Sequence, residues 1–193
     1  MRRPEYYRGG YFHLYNRGAH RVSLFREPDN YVFVLRKVKK YVSELELTVI
    51  AYCLLPNHYH FLLRQAGEHR AGLLPQRVFN SYSKAYNRRY GHSGTLFEGP
   101  YKAKEVRSDA HLIQLCPYIH ANPVIHGLVA SPHEWIYSNY LEWVGERGGT
   151  LVDRGFVLDH FASPREYRAF VQEYMADRAL PDQLSGYLSQ WDL

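Results

Sequence analysis

Two histidines one residue apart, His58 and His60, sit in the apolar run LLPNHYHFLL (Leu54–Leu63). On a strand, positions i and i+2 face the same way. Both imidazoles then project from one side, about 7 Å apart along the chain, while Tyr59 points to the other. Imidazoles so placed can share a metal ion, and hydrogen-bonded core histidines can have the same spacing. Further along, YIHAN (Tyr118–Asn122) sets Tyr118 and Asn122 at i and i+4, one turn apart on one helical face. His120 is turned about 200° from Tyr118 and reads as off-site. The Asn122 amide could give a metal an oxygen, leaving the Tyr118 phenol beside it. Two histidines, an amide, a tyrosine and a basic surface suit attack of a phenol on a phosphodiester.

Charge supplies the basic surface. Residues 1–130 hold 19 Lys/Arg against 9 Asp/Glu, whereas residues 131–193 hold 5 against 10. A basic body with an acidic tail suits a polyanionic partner. SYSKAYNRRYG (Ser81–Gly91) and PYKAK (Pro100–Lys104) interleave rings with cations, as single-stranded nucleic acid requires for stacking and phosphate contact. Other chemistries lose support. No Asp or Glu lies between Leu47 and Gly67, and residues 1–130 contain only Asp29 and Asp109 as aspartates, which disfavours a carboxylate-based two-metal site. No GxxxxGK[ST] loop is present, so ATP-driven chemistry is disfavoured. Cys53 and Cys116 have no CxxC spacing and read as free thiols of a reducing cytoplasm. No apolar stretch is long enough for a membrane span, and MRRPEYYRGG lacks the apolar core of a secretory signal.

The elements that must position these groups follow from periodicity. YFHLYNRG (Tyr11–Gly18) alternates and reads as a strand. From Asp29, a plausible N-cap, Tyr31, Val34, Leu35, Val38, Val42 and Leu45 recur at helical spacing. LTVIAYCLL (Leu47–Leu55) and HYHFLLR (His58–Arg64) form two strands joined by a turn at Pro56-Asn57. A second helix fits Pro75–Tyr90, stopped by Gly91. Gly94–Val106 reads as a loop running into a short strand, and Ser108 caps a third helix. The order predicts an α+β chain: a ferredoxin-like antiparallel sheet with helices on one face. This domain spans residues 1–130. Residues 131–193 read as a C-terminal extension packed on or flanking it through Trp135, Tyr140 and Trp143.

LLPNHYHFLL, YSKAYNRRYGHSGTLFEG, YKAKEV and YIHANPV…GLV closely resemble, in order and spacing, the single-tyrosine transposases of the HUH superfamily. The branch most similar is the REP-associated tyrosine transposases of bacteria, and the resemblance covers roughly Tyr11 to Val144. It implies the HUH endonuclease fold, with His58, His60 and Asn122 binding a divalent ion, Mg²⁺ or Mn²⁺. It also implies that Tyr118 attacks single-stranded DNA near hairpins, forming a 5′-phosphotyrosine and releasing a 3′-OH. The covalent link conserves the bond for rejoining, in keeping with the missing ATP motif. Arg17, Lys84, Arg88, Arg89, Lys102, Lys104 and Arg107 are the candidate DNA contacts. The protein is expected to be cytoplasmic and nucleoid-associated, as a monomer or a homodimer.

Three positions depart from the family pattern. Pro100 and Ile125 stand where the family commonly has Arg, and Pro117 precedes the nucleophile, where it is expected to break or kink a continuous helix. These features support a second reading, a catalytically impaired regulator that binds hairpin DNA. A free phenol titrates near pH 10, so ionising it at pH 7 costs about 4 kcal/mol. Lys104, Arg107 or a metal-bound water could offset that cost.

Overall fold

The computed structural model describes residues 4–177. Strand β1 (Tyr11–Arg17) leads to helix α1 (Pro28–Glu44), the hairpin β2–β3 (Leu47–Leu55 and His58–Gln65), helix α2 (Leu73–Tyr90) and strand β4 (Lys102–Val106). Helix α3 (Asp109–Ile125) follows, then α4 (Tyr140–Trp143), α5 (Arg154–His160) and α6 (Pro164–Asp177). The strands pair antiparallel in the order β2-β3-β1-β4, the ferredoxin-like order that the element pattern predicts.

Local chemistry explains the ends. Helix α1 begins at Pro28, whose fixed φ suits the first turn. Asp29, expected as the cap, lies inside that turn, and Glu27 takes the N-cap position. Gly91 ends α2 in a left-handed conformation (φ +60°) with its N–H on the Asn87 carbonyl. Ser108 does cap α3, its Oγ accepting from His111 N–H at 3.3 Å.

Helices α1 and α2 lie on one face of the sheet, where Phe12, Tyr59 and Phe61 pack with Val34, Val38 and Tyr82. The expectation of helices on one face describes only this pair. The opposite face carries α3 and the C-terminal helices, which bury Ile50, Cys53 and Leu62 with Leu115, Ile119, Trp143 and Tyr167. A register shift between Val49 and Ala51 sets which residues of β2 face this second layer. Before it, Val49 faces the α1 side; after it, Tyr52 and Leu54 do. Ile50 is the extra residue that switches the parity. Cys53 and Leu55 thereby stand opposite His60 and His58 on the α3 face.

Pro117 does not break α3. The helix continues through both Pro117 and Pro123. An interior proline costs about 3 kcal/mol, which burial of Leu112, Leu115, Cys116 and Ile119 in one core offsets.

The segment after α3 seals the outer edge of β2. Leu54 N–H donates to the Tyr137 carbonyl (2.9 Å). Asn139 accepts from Tyr52 N–H (2.7 Å) and donates to the Ile50 carbonyl (2.8 Å). The indoles of Trp135 and Trp143 donate to Leu54 and Ile50 carbonyls at 3.0 and 3.1 Å. Residues 178–193, the end of the expected extension, lie outside the described residues.

Candidate active site

Strand alternation places Tyr11, His13, Tyr15 and Arg17 of β1 on the same face as His58 and His60 of β3, since Arg17 pairs with His58 and Tyr15 with His60. Helix α3 crosses above this face. Its stripe of Tyr118 and Asn122 points down at the histidines, so the structure brings together the four residues that the sequence singles out.

The contacts are specific. The Tyr118 ring stands edge-on to His60, centroids 5.7 Å apart. The His58 and His60 rings lie 5.2 Å apart. Asn122 donates Nδ2 to the Tyr118 carbonyl (2.8 Å), which turns its Oδ1 toward His58 Nε2, 3.4 Å away. On its other side, His58 donates Nδ1–H to Asn57 Oδ1 (2.7 Å), which leaves a lone pair on Nε2. Two acceptors, an imidazole nitrogen and an amide oxygen, thus converge. Donors each about 2.1 Å from one ion stand roughly 3.0–3.4 Å apart, so this spacing fits a shared cation. Among the described residues no group of three or more His, Cys, Asp or Glu could hold a metal. The His58 imidazole and the Asn122 amide could hold such an ion, with the His60 ring 5.2 Å from that of His58.

Burial sets the protonation states. It lowers His58 to about 4, with His126 and Arg17 adding to the effect, opposed by the hydrogen bond that a protonated Nε2 would donate to Asn122. Burial and the neighbouring His58 and His13 hold His60 well below its usual value. Both are neutral at pH 7, as ligands must be. The same burial, which leaves the residue only 7% exposed, pushes Tyr118 up to about 12, opposed by Asn122.

Four neighbours of this site escape the sequence reading. His13 Nε2 lies 3.1 Å from His60 Nδ1 and so fixes which His60 nitrogen faces the site. Tyr15 stacks on His60 at 6.2 Å. Asn57 orients His58 from the hairpin turn. His126, exposed at the end of α3, sets its ring 4.9 Å from His58. Signals exist for three of them: His13 and Tyr15 are i and i+2 on a strand, and His126 is i+8 from Tyr118 at the end of a helix. His120 is indeed off-site. Its Nε2–H donates to Asn139 Oδ1 (2.9 Å), and its Nδ1 accepts from Tyr167 O–H (2.5 Å).

The seven candidate DNA contacts divide between the two faces. Arg17 lies beside His58, and Lys102 and Lys104 stand in register with Tyr15 and His13, on the histidine face. Arg107 follows β4 and bonds Glu105 (3.0 Å). Lys84, Arg88 and Arg89 project from α2, across the sheet from the histidines. Arg89 pairs there with Glu27 (2.8 Å) and Asp29 (3.3 Å).

No protein-family profile matches the chain, and no curated protein sequence does. Among solved structures, it is similar to a REP-associated tyrosine transposase bound to a REP hairpin. The TM-score is 0.64 at 18% identity, over 79% of this chain and 93% of that one. A second, described as a "putative transposase" from Deinococcus radiodurans R1, aligns with a TM-score of 0.43 at 16% identity, over 62% of this chain and 95% of that one. The first likeness establishes a shared fold: a four-stranded antiparallel sheet with helices, in an α+β chain. No helix among the described residues is long and apolar enough to cross a membrane.

Proposed function

We propose that the chain is a metal-dependent endonuclease and transposase that cleaves and rejoins single-stranded DNA near hairpins, with Tyr118 as nucleophile. The observation that carries this reading is the convergence of Tyr118 and Asn122 from α3 on His58 and His60 from β3. The bound hairpin of the structural neighbour supports DNA of that form as the partner. His58, His60 and Asn122 are the residues that would hold Mg²⁺ or Mn²⁺, which supplies Lewis-acid polarisation of the phosphate oxygens.

The protein's own part is nucleophilic. The Tyr118 oxygen forms a bond to phosphorus as the bond to the 3′ oxygen breaks. The phenolic proton leaves, the departing oxygen takes up a proton to become a 3′-OH, and the 5′-phosphate stays on tyrosine. Attack by a 3′-OH reverses the sequence and reseals the strand. With Tyr118 raised to about 12, ionising it in advance at pH 7 would cost about 7 kcal/mol. A bound cation beside the phenol, or a base that takes its proton, would offset that cost. Arg17, Lys102 and Lys104 on the histidine face suit the phosphates of the strand being cut. Arg107 flanks β4, and Lys84, Arg88 and Arg89 offer a separate cationic stretch on α2, across the sheet.

One observation favours the second reading, a hairpin-binding regulator without cleavage: the nucleophile is almost fully covered. Incubation with a labelled hairpin-flanked strand and Mn²⁺ separates the two. The enzyme forms a denaturation-resistant adduct that EDTA prevents. The regulator shows salt-sensitive binding with no adduct.

A further inference from the structure

Glu98 is a carboxylate placed among cations at the edge of the histidine face. Arg17 grips it with two nitrogens: Nε contacts Oε2, and Nη2 donates to Oε1 at 2.8 Å. Such a fork-to-fork pair is also how arginine holds a phosphate. The backbone delivers Glu98 to this position. Glu98 N–H donates to the Arg17 carbonyl (3.0 Å), Phe97 bridges Gly18, and Asn16 Nδ2 donates to the Gly99 carbonyl (2.9 Å). After Arg17, the charge of Lys102 adds to the pull that keeps the carboxyl ionised. Two cations, Arg17 at the end of β1 and Lys102 on β4, thus act on one anion.

That anion is exchangeable. Half of the Glu98 side chain faces water, so an incoming anion can reach the pair. Arg17 is the cross-strand neighbour of His58, so the cations border the point where the strand would be cut.

Resting on the functional reading above, we infer that Arg17 and Lys102 form a phosphate subsite for the strand flanking the cleavage point, which the Glu98 carboxylate fills until DNA displaces it. The ligand class is a phosphodiester of single-stranded DNA, and Glu98 is its internal competitor.

The test compares full-length wild type, Glu98→Gln, Arg17→Gln and the double variant without metal. The probe is a fluorescein-labelled DNA hairpin with a single-stranded 5′ flank, and anisotropy is read across a salt series. Glu98→Gln should bind about two- to fivefold tighter, with a salt dependence steeper by about 0.7 in log–log slope, the value for one more single-strand phosphate contact. The gain should vanish in the Arg17→Gln background. Glu44→Gln, which removes the same charge from α1 on the other face, controls for net charge. Weaker binding by Glu98→Gln, an unchanged slope, or a gain no larger than that of Glu44→Gln overturns the subsite. Failure of the wild type to bind the probe overturns the functional reading itself.

Discussion

The ring of Tyr118 meets that of His60 edge to face, centroids 5.7 Å apart and planes at 85°, within a single chain. The proposed mechanism can therefore draw its nucleophile and its histidines from one protomer. The β2 edge, through which a second sheet could extend, is taken up by Tyr137, Ser138 and Asn139. The proposed mechanism then predicts cleavage in cis. Mixing Tyr118→Phe with His60→Ala should give no adduct with hairpin DNA and Mn²⁺. Adduct formation in the mixture would mean that partners exchange their tyrosines.

His13 touches His60 on the nitrogen turned away from the site. Residues that orient a metal-binding histidine typically contribute about 10- to 100-fold in affinity. His13→Phe should weaken Mn²⁺ binding by that amount, read by electron paramagnetic resonance of free Mn²⁺ without DNA. Unchanged affinity would remove His13 from the site.

His120 couples pH to docking of α6. An unfolded imidazole titrates near 6.5, whereas burial lowers it in the fold to about 4, opposed by the Asn139 hydrogen bond. Between these values the unfolded chain binds more protons, so stability rises with pH. The contribution is complete above about pH 6.5 and is lost as pH falls toward 4, roughly 3 kcal/mol in all. His120→Gln cannot titrate. Urea melts at pH 4.5 and 7 should show a smaller acid loss for this variant than for wild type, and equal losses would place the acid sensitivity elsewhere.

Asn139 binds β2, α3 and the C-terminal segment through one buried side chain, contacting Tyr52 N–H, the Ile50 carbonyl and His120. Asn139→Ala leaves buried polar groups unsatisfied, at about 1–3 kcal/mol each. Destabilisation of about 3 kcal/mol or more should appear in chemical melts. A loss under 1 kcal/mol would contradict this account of the edge.

The sequence exposes those parts of the fold that rest on periodicity. The ferredoxin-like order, the Gly91 stop and the Ser108 cap follow from local residue chemistry. Helix α3 is harder to read. It is apolar on every side because it lies between the sheet and the C-terminal helices, so no amphipathic pattern reveals its course, and tertiary packing carries it through Pro117. The bulge at Ile50 leaves no local mark either. His58, His60, Tyr118 and Asn122 could be paired because strand and helix periods put each pair on one face. His13 could not, since its link to His60 exists only through strand register.

The central claim, that the Tyr118 oxygen becomes bonded to DNA, is tested most directly by mass mapping of the adduct. Full-length protein is incubated with hairpin-flanked DNA and Mn²⁺, digested with nuclease and protease, and the modified peptide sequenced. The account predicts a nucleotide on Tyr118, and no adduct from Tyr118→Phe. A nucleotide on another residue, or an adduct that persists in Tyr118→Phe, would contradict it.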